Sequence, residues 1–283
     1  MISFIQKETL QEEKTRLLLA VSFFTRIPVN LPETITADQL SKASRYFALV
    51  GLLIGVICSG VYLLSINYLP KSIALLLSMA ASIMVTGAFH EDGWADVWDG
   101  FGGGWSVEQK LNIMKDSRLG TYGAAALFII LFLKFQSLMV LVSPIAALIL
   151  ANTLSRVVAT SLIVDMPYVA LDATSKVKPI AQNLSNNSLF ILLLTGLLVA
   201  VCVLPLAECF LLFIILFLFR GLLAFWFNRQ LGGYTGDCLG AAQQSSEIVI
   251  YLSLLVFGYG ATFSHEAFTY IEALINTSNG VLS

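Results

Sequence analysis

Seven stretches of the chain, roughly 46–66, 72–90, 120–141, 143–164, 188–204, 208–227 and 239–262, are each long and apolar enough to cross a ~30 Å hydrocarbon core. Lipid offers no water to satisfy backbone N–H and C=O groups, so such stretches must be helical. With 57% of residues hydrophobic and 12% charged, against about 25% charged in a soluble domain, the fold class is all-α, a polytopic integral membrane helical bundle. One domain is expected: a segment at 1–45, a transmembrane bundle at 46–262 and an external tail at 263–283. Residues 1–16 are polar and mixed in charge, without the features of a signal peptide. Residues 17–30 are apolar but too short to span, contain Arg26 and Pro28, and read as an interfacial or re-entrant helix. Thr36 is placed to cap a short helix after it.

Lysine and arginine placement orients the bundle. With the N-terminus inside, Lys7, Lys14, Arg16, Arg26, Lys42, Arg45, Lys110, Lys115, Arg118, Lys176, Lys178 and Arg229 fall on the cytoplasmic side, whereas the opposite side holds Lys71, with Lys134 close to it. The polar stretches then gather at one cytoplasmic face. No basic patch of the kind that binds nucleic acid is present. Cys58, Cys202, Cys209 and Cys238 lie in or beside apolar runs without metal-site spacing, and read as small hydrophobes. Gly51 and Gly55 offer a close helix–helix contact.

The densest block of charge runs from Phe89 to Gly123. Asp92, Asp96 and Asp99 stand at i, i+4 and i+7; at about 100° per residue they share one helix face within roughly 60°. Three carboxylates so close repel one another unless a cation lies between them, and clustered aspartate oxygens suit a hard divalent ion. The run Gly100, Gly102, Gly103, Gly104 is expected to break the helix and expose backbone N–H groups that cradle phosphate oxygens. Ser106 and Gln109 have capping-box spacing for a helix beyond it, and Lys115 and Arg118 return positive charge to the same mouth. Carboxylates for metal, with amides and cations for phosphate, suggest a diphosphate with bound Mg²⁺. His90 reads as an interface residue, and Glu91 points about 100° away from Asp92.

A second polar knot covers 228–247, where Gly232, Gly233 and Gly236 form a loop, Asp237 follows, and Gln243, Gln244 and Glu247 enter the last span. It could add a metal ligand or close over a nucleotide, or it could be a turn with a capping aspartate. Arg156 and Arg220 lie within spans, so each needs an anion or must snorkel; as the anion, a substrate phosphate and an aspartate serve equally. Asn152 and Ser155 are placed to line the same cavity as Arg156, and Tyr168 fits an aromatic belt.

HEDGWADVWDGFGGG, MKDSRLGTYG and GGYTGDCLGA resemble the three signature stretches of the cobalamin synthase (adenosylcobinamide-GDP ribazoletransferase) family, and FFTRIPV resembles its opening motif. The resemblance implies a Mg²⁺-dependent inner-membrane enzyme late in coenzyme B12 synthesis. Such an enzyme joins adenosylcobinamide-GDP to α-ribazole or its 5′-phosphate and releases GMP. Asp92, Asp96 and Asp99 fall on its aspartate motif, which implies the metal site; Lys115 and Arg118 fall on its KDSR stretch and Asp237 on its TGD stretch. One of these carboxylates would take the proton of the attacking hydroxyl. Gly102, Gly103, Gly104, Arg156 and Arg220 complete the expected substrate-binding set. Membrane lipid, a second copy of the chain and other B12-pathway enzymes are the further partners. The chain departs from the family where it reads PYVALD, which leaves Tyr168 without a neighbouring arginine. The block Asp96-Val-Trp-Asp99-Gly100 also resembles part of the CDP-alcohol phosphotransferase pattern, which makes a phospholipid-synthesising transferase the runner-up. A secondary transporter comes third, since the two halves show no repeat.

Overall fold

The computed structural model describes residues 2–169 and 184–280. Among these residues the chain forms α1 (Ile2–Phe24), α2 (Ala37–Ala43), α3 (Phe47–Ile66), α4 (Lys71–Thr86), α5 (Phe89–Gly103), α6 (Val107–Met114), α7 (Thr121–Val140), α8 (Pro144–Ser161), α9 (Asn186–Val203), α10 (Leu206–Leu231) and α11 (Gly236–Gly280). Six helices are long and apolar enough to cross a membrane, and the bent pair α4–α5 would make a seventh. The chain is a polytopic helical membrane protein. Helix α11 continues as one element past position 263, where a tail is expected.

The expected span 72–90 needs correction: it ends at Thr86, and α5 leaves at 87° to α4. Two consecutive left-handed residues make the corner, Gly87 at φ +69° and Ala88 at φ +60°. The alanine costs on the order of 1–2 kcal/mol in that conformation. The corner is pinned from outside, because the Arg26 N–H donates to the Val85 carbonyl at 2.7 Å and the Arg26 side chain lies over Gly87, where a Cβ would stand 2.2 Å from Nε. Helix α1 is not among the crossing helices; it lays Leu19, Ala20 and Phe24 against the core. Thr36 and Gln39 form the expected capping box at the head of α2.

Helix α8 lies at the centre, with most of its length buried. Helix α3 packs on it at Gly51 and Gly55, where an added Cβ would stand 2.2 Å from the Asn152 carbonyl oxygen and 2.9 Å from that of Leu148. Glycine at these two turns of the helix is what permits backbone-to-backbone contact. Cys58, Cys209 and Cys238 are buried and Cys202 is exposed; all four are free thiols.

A polar seam runs through this apolar core. Lys134 and Glu247 form an ion pair at 2.5 Å with both side chains more than nine-tenths buried. The Gln243 amide donates to Glu247 and to Ser155 Oγ, and the Gln244 amide donates to Glu91 Oε1 at 3.1 Å. Lys134 therefore belongs to the interior, not to the outer face where its sequence position points.

Candidate active site

The corner at 87–88 lays α5 across one end of the bundle, between α7 and α11. Its apolar face carries Val97 into the core, and an aromatic ladder fixes it to α10: Trp98 lies 6.0 Å from Trp226, and Phe101 meets Trp226 edge-on at 5.1 Å. The carboxylate face presents Asp92 exposed, Asp96 half-buried and Asp99 buried, while Glu91 turns inward to Gln244.

Asp99 is held by the start of α7. One of its oxygens accepts the Gly120 N–H at 2.7 Å and the other the Gly123 N–H at 2.8 Å. Both glycines are required, since a Cβ at either would stand within 2.4 Å of that carboxylate. The carboxylate satisfies two orphan amides of α7 and sits at the positive end of its dipole. This gives Asp99 a structural task that separates it from Asp92 and Asp96, whose carboxylates have no hydrogen bond or ion pair among the described residues.

The second polar knot joins the first directly. Helix α11 begins beside α5, and a Cβ at Gly93 would stand 3.0 Å from both the Cα and the carbonyl oxygen of Asp237. Asp237 in the first turn of α11 thereby faces the aspartate row. The charges acting on Asp96 are all negative: Asp237 foremost, then Asp92 and Asp99. The loop before α11 is braced by the 167–169 stretch, where Tyr234 N–H donates to Pro167 O at 3.0 Å and Val169 N–H to Tyr234 O at 2.8 Å. Tyr168 packs edge-on against Tyr234 at 5.6 Å, so it braces this loop. Residues 170–183, with Lys176 and Lys178, lie outside the described residues.

The glycine run departs from expectation. Gly100, Gly102 and Gly103 belong to α5, and Gly104 N–H donates to Gly100 O at 2.9 Å, so no open cradle of amides forms there. The glycines instead admit neighbours: a Cβ at Gly100 would stand 2.5 Å from Met114 Cγ, one at Gly102 2.7 Å from the Tyr122 ring, and one at Gly104 2.6 Å from Lys110 Cγ. Close packing of α6 and the head of α7 is their role. The Ser106–Gln109 capping box forms as expected at the start of α6.

The expected cations are dispersed. Arg118 is exposed and pairs with Asp116 at 2.5 Å, and its hydrogen bonds hold the Asp116 carboxyl below the usual carboxylate range. Arg220 pairs with Asp165, one contact being 2.8 Å, which makes it an aspartate partner. Arg156 is fully buried, donates to Asn152 O at 2.8 Å, and feels Glu247 and Glu91. Lys110, which the sequence reading passed over, reaches Gln230 Oε1 at 2.6 Å. Also missed was the Lys134–Glu247 pair, although two lone charges within apolar runs signal that each needs a partner.

Among the described residues no three His, Cys, Asp or Glu side chains converge closely enough to hold a metal ion as they stand. Asp92, Asp96 and Asp99 therefore do not form a closed ligand set, and Asp99 is turned away by the α7 amides. The donor chemistry nevertheless fits a hard divalent cation: carboxylate oxygens from two packed helices, with only anions acting on the central one.

Comparison with known proteins covers most of the chain. A family model described as Cobalamin-5-phosphate synthase matches residues 16–255. An adenosylcobinamide-GDP ribazoletransferase of Shewanella frigidimarina is 58% identical over 245 residues, 85% of this chain and 94% of the relative. A protein of the same name from Shewanella oneidensis is 50% identical over 258 residues, 89% of this chain and 98% of the relative. No solved structure matches at a significant level.

Proposed function

Since the chain belongs to the cobalamin-5-phosphate synthase family, we propose that it is an adenosylcobinamide-GDP ribazoletransferase of the cell inner membrane, N-terminus and active site cytoplasmic, and that the carboxylates of α5 and α11 carry the reaction. A ribose hydroxyl of α-ribazole, or of its 5′-phosphate, attacks the phosphorus on the cobinamide side of the diphosphate. A new P–O bond forms, the P–O bond to GMP breaks, and the hydroxyl proton passes to a carboxylate.

The observation that carries this reading is the junction at Gly93, which sets Asp237 against the row of Asp92 and Asp96. Asp96 lies at the centre of that set with no hydrogen bond to its oxygens among the described residues, and is the proposed proton acceptor. Asp92, Asp96 and Asp237, which like the other acidic trios among the described residues do not converge as they stand, are the residues that would close on Mg²⁺. Bound there, the ion would supply positive charge to the diphosphate and the departing GMP. Asp99 positions the row by tying α5 to the head of α7. Lys115, at the end of α6, would meet phosphate oxygens outside the carboxylate row, and Arg118 would join it on leaving Asp116.

The test is steady-state GMP release by the purified protein in lipid nanodiscs, supplied with adenosylcobinamide-GDP and α-ribazole. Release should require both substrates and cease in EDTA, and Asp96→Asn should lower it by about 10²-fold or more. Folded protein that releases no GMP under any of these conditions sinks the transferase reading; turnover indifferent to EDTA removes the metal from it.

A further inference from the structure

Beside the carboxylates lies a cavity of about 70 Å³ lined by α1, α3, α5, α8 and α11. Its walls are aromatic, chiefly Phe23, Phe24, Phe47 and Phe89. Phe24 is fixed on three sides: edge-on to Phe47 at 4.4 Å, stacked on His90 at 5.3 Å, and under the Arg156 guanidinium at 5.6 Å. Two buried polar atoms of residues in this lining, Arg156 Nε and His90 Nε2, have no hydrogen-bond partner among the described residues. Each such group left unpaired costs about 1–3 kcal/mol, so a native protein keeps it for a reason.

The charge of Arg156 does not demand an anion. Glu247 and Glu91 act on it, and Glu247 also pairs Lys134, so two cations already face two anions. The complement of this cavity is a neutral, flat, largely apolar ring that offers one or two hydrogen-bonding atoms. The cavity also abuts the reaction site. Gly236 in its wall precedes Asp237, His90 lies two residues before Asp92, and a Cβ at Gly240 would stand 3.3 Å from the His90 carbonyl oxygen.

We infer that this cavity receives the base of the nucleoside acceptor, with Arg156 and His90 as the polar contacts that orient it. The inference rests on the ribazoletransferase reading. Ribazole carries a benzimidazole with two ring methyls; one ring nitrogen bears the ribose and the other keeps a free lone pair, the acceptor that Arg156 Nε–H lacks among the described residues. Guanine is the poorer occupant, because its polar edge would face aromatic walls and lose hydrogen bonds to water without replacement. A corrin macrocycle fringed with amides is poorer still. A base seated here leaves its ribose on the side of Asp237, as attack on the diphosphate needs.

The full-length protein in nanodiscs decides the matter by steady-state inhibition. Free 5,6-dimethylbenzimidazole should inhibit GMP release competitively against α-ribazole and not against adenosylcobinamide-GDP. Benzimidazole without the methyls should bind about tenfold or more weakly, as apolar pockets discriminate by contacts of that size. Filling the cavity with Ala159→Leu should raise KM for α-ribazole about tenfold or more and leave KM for adenosylcobinamide-GDP within about twofold. Turnover without inhibition, or inhibition competitive with adenosylcobinamide-GDP, overturns the inference, and these wild-type results stand even if A159L does not fold. Should wild-type protein release no GMP, calorimetric titration with α-ribazole separates the two ideas. Saturable binding keeps the cavity assignment while the transferase reading falls, and absence of binding removes both.

Discussion

Gly93→Ala adds one methyl at the junction that brings Asp237 to the aspartate row. The new Cβ would stand 3.0 Å from the Asp237 Cα and 3.0 Å from its carbonyl oxygen. Both are backbone atoms at a helix start, so no side chain can swing aside, and an ordinary contact needs several tenths of an ångström more. The helices α5 and α11 must part. Overpacking of this kind costs roughly 1–3 kcal/mol, while replacing a helical glycine by alanine returns about 1 kcal/mol. The net loss of stability is thus about 0–2 kcal/mol, within reach of a folded protein. Catalysis should suffer more, because misplacing reacting groups by about 1 Å costs on the order of 10²-fold. The assay pairs a thermal melt with GMP release. Gly60→Ala and Gly221→Ala serve as controls: both sit inside helices with nothing within 4 Å of the new Cβ, and should hold or gain stability at unchanged rate. If G93A turns over within about threefold of wild type while the controls behave as expected, the geometric coupling between α5 and α11 is not what assembles the site.

Asp99→Asn and Asp96→Asn should separate in stability although both remove one charge from the same helix face. Asparagine at 99 keeps a single acceptor oxygen, so Gly120 or Gly123 loses a charge-assisted hydrogen bond worth about 1.5–3 kcal/mol; D96N relieves repulsion among anions and should melt no lower than wild type. Equal melting temperatures would contradict the assigned division of labour. In the polar seam, Lys134→Met strands a buried Glu247 and should cost about 3–5 kcal/mol, whereas the double change K134M/E247Q should recover most of it. Calorimetry of the three proteins checks the sign, and a double variant as unstable as the single one would mean that the pair is not isolated from its surroundings.

The helical spans were legible because hydropathy over about twenty residues leaves little choice of structure in lipid. The corner between α4 and α5 was not. SIMVTGAF reads as unbroken apolar sequence, and the turn depends on an alanine held in a left-handed conformation beside Gly87. The shared face of Asp92, Asp96 and Asp99 followed from helical periodicity alone, but the fate of each carboxylate depends on residues far along the chain. Asp99 is taken by Gly120 and Gly123, and Asp96 feels the charge of Asp237 only because α11 starts beside Gly93. Glycine runs carry an intrinsic ambiguity: absence of a side chain permits either a loop or close packing, and here Met114, Tyr122 and Lys110 fill the space. Lys134 and Glu247 each announced a need for a partner, yet composition cannot say that one answers the other.

The corner also explains how so much negative charge is kept at the end of a membrane bundle. Were α5 to continue straight from α4, Asp99 would lie some 13 residues beyond Thr86, about 20 Å further along the axis, and the aspartates would project away from the bundle. Bent by 87°, α5 instead lies against the first turns of α7 and α11. A helix start presents unpaired N–H groups and the positive end of the dipole. Asp99 meets the one at Gly120, and Asp237 occupies the first turn of the other. Support for the acidic row thus comes from two helix termini, while Arg118 is turned to Asp116 and Arg220 to Asp165. Each favourable charge–terminus contact contributes about 0.3–1 kcal/mol, comparable to what Ala88 forfeits at the corner. The strained turn and the acidic site therefore belong to one device: the bend that costs backbone energy is what places the carboxylates where helix termini stabilise them. A cation seated among Asp92, Asp96 and Asp237 would then meet carboxylates that neither arginine has already neutralised.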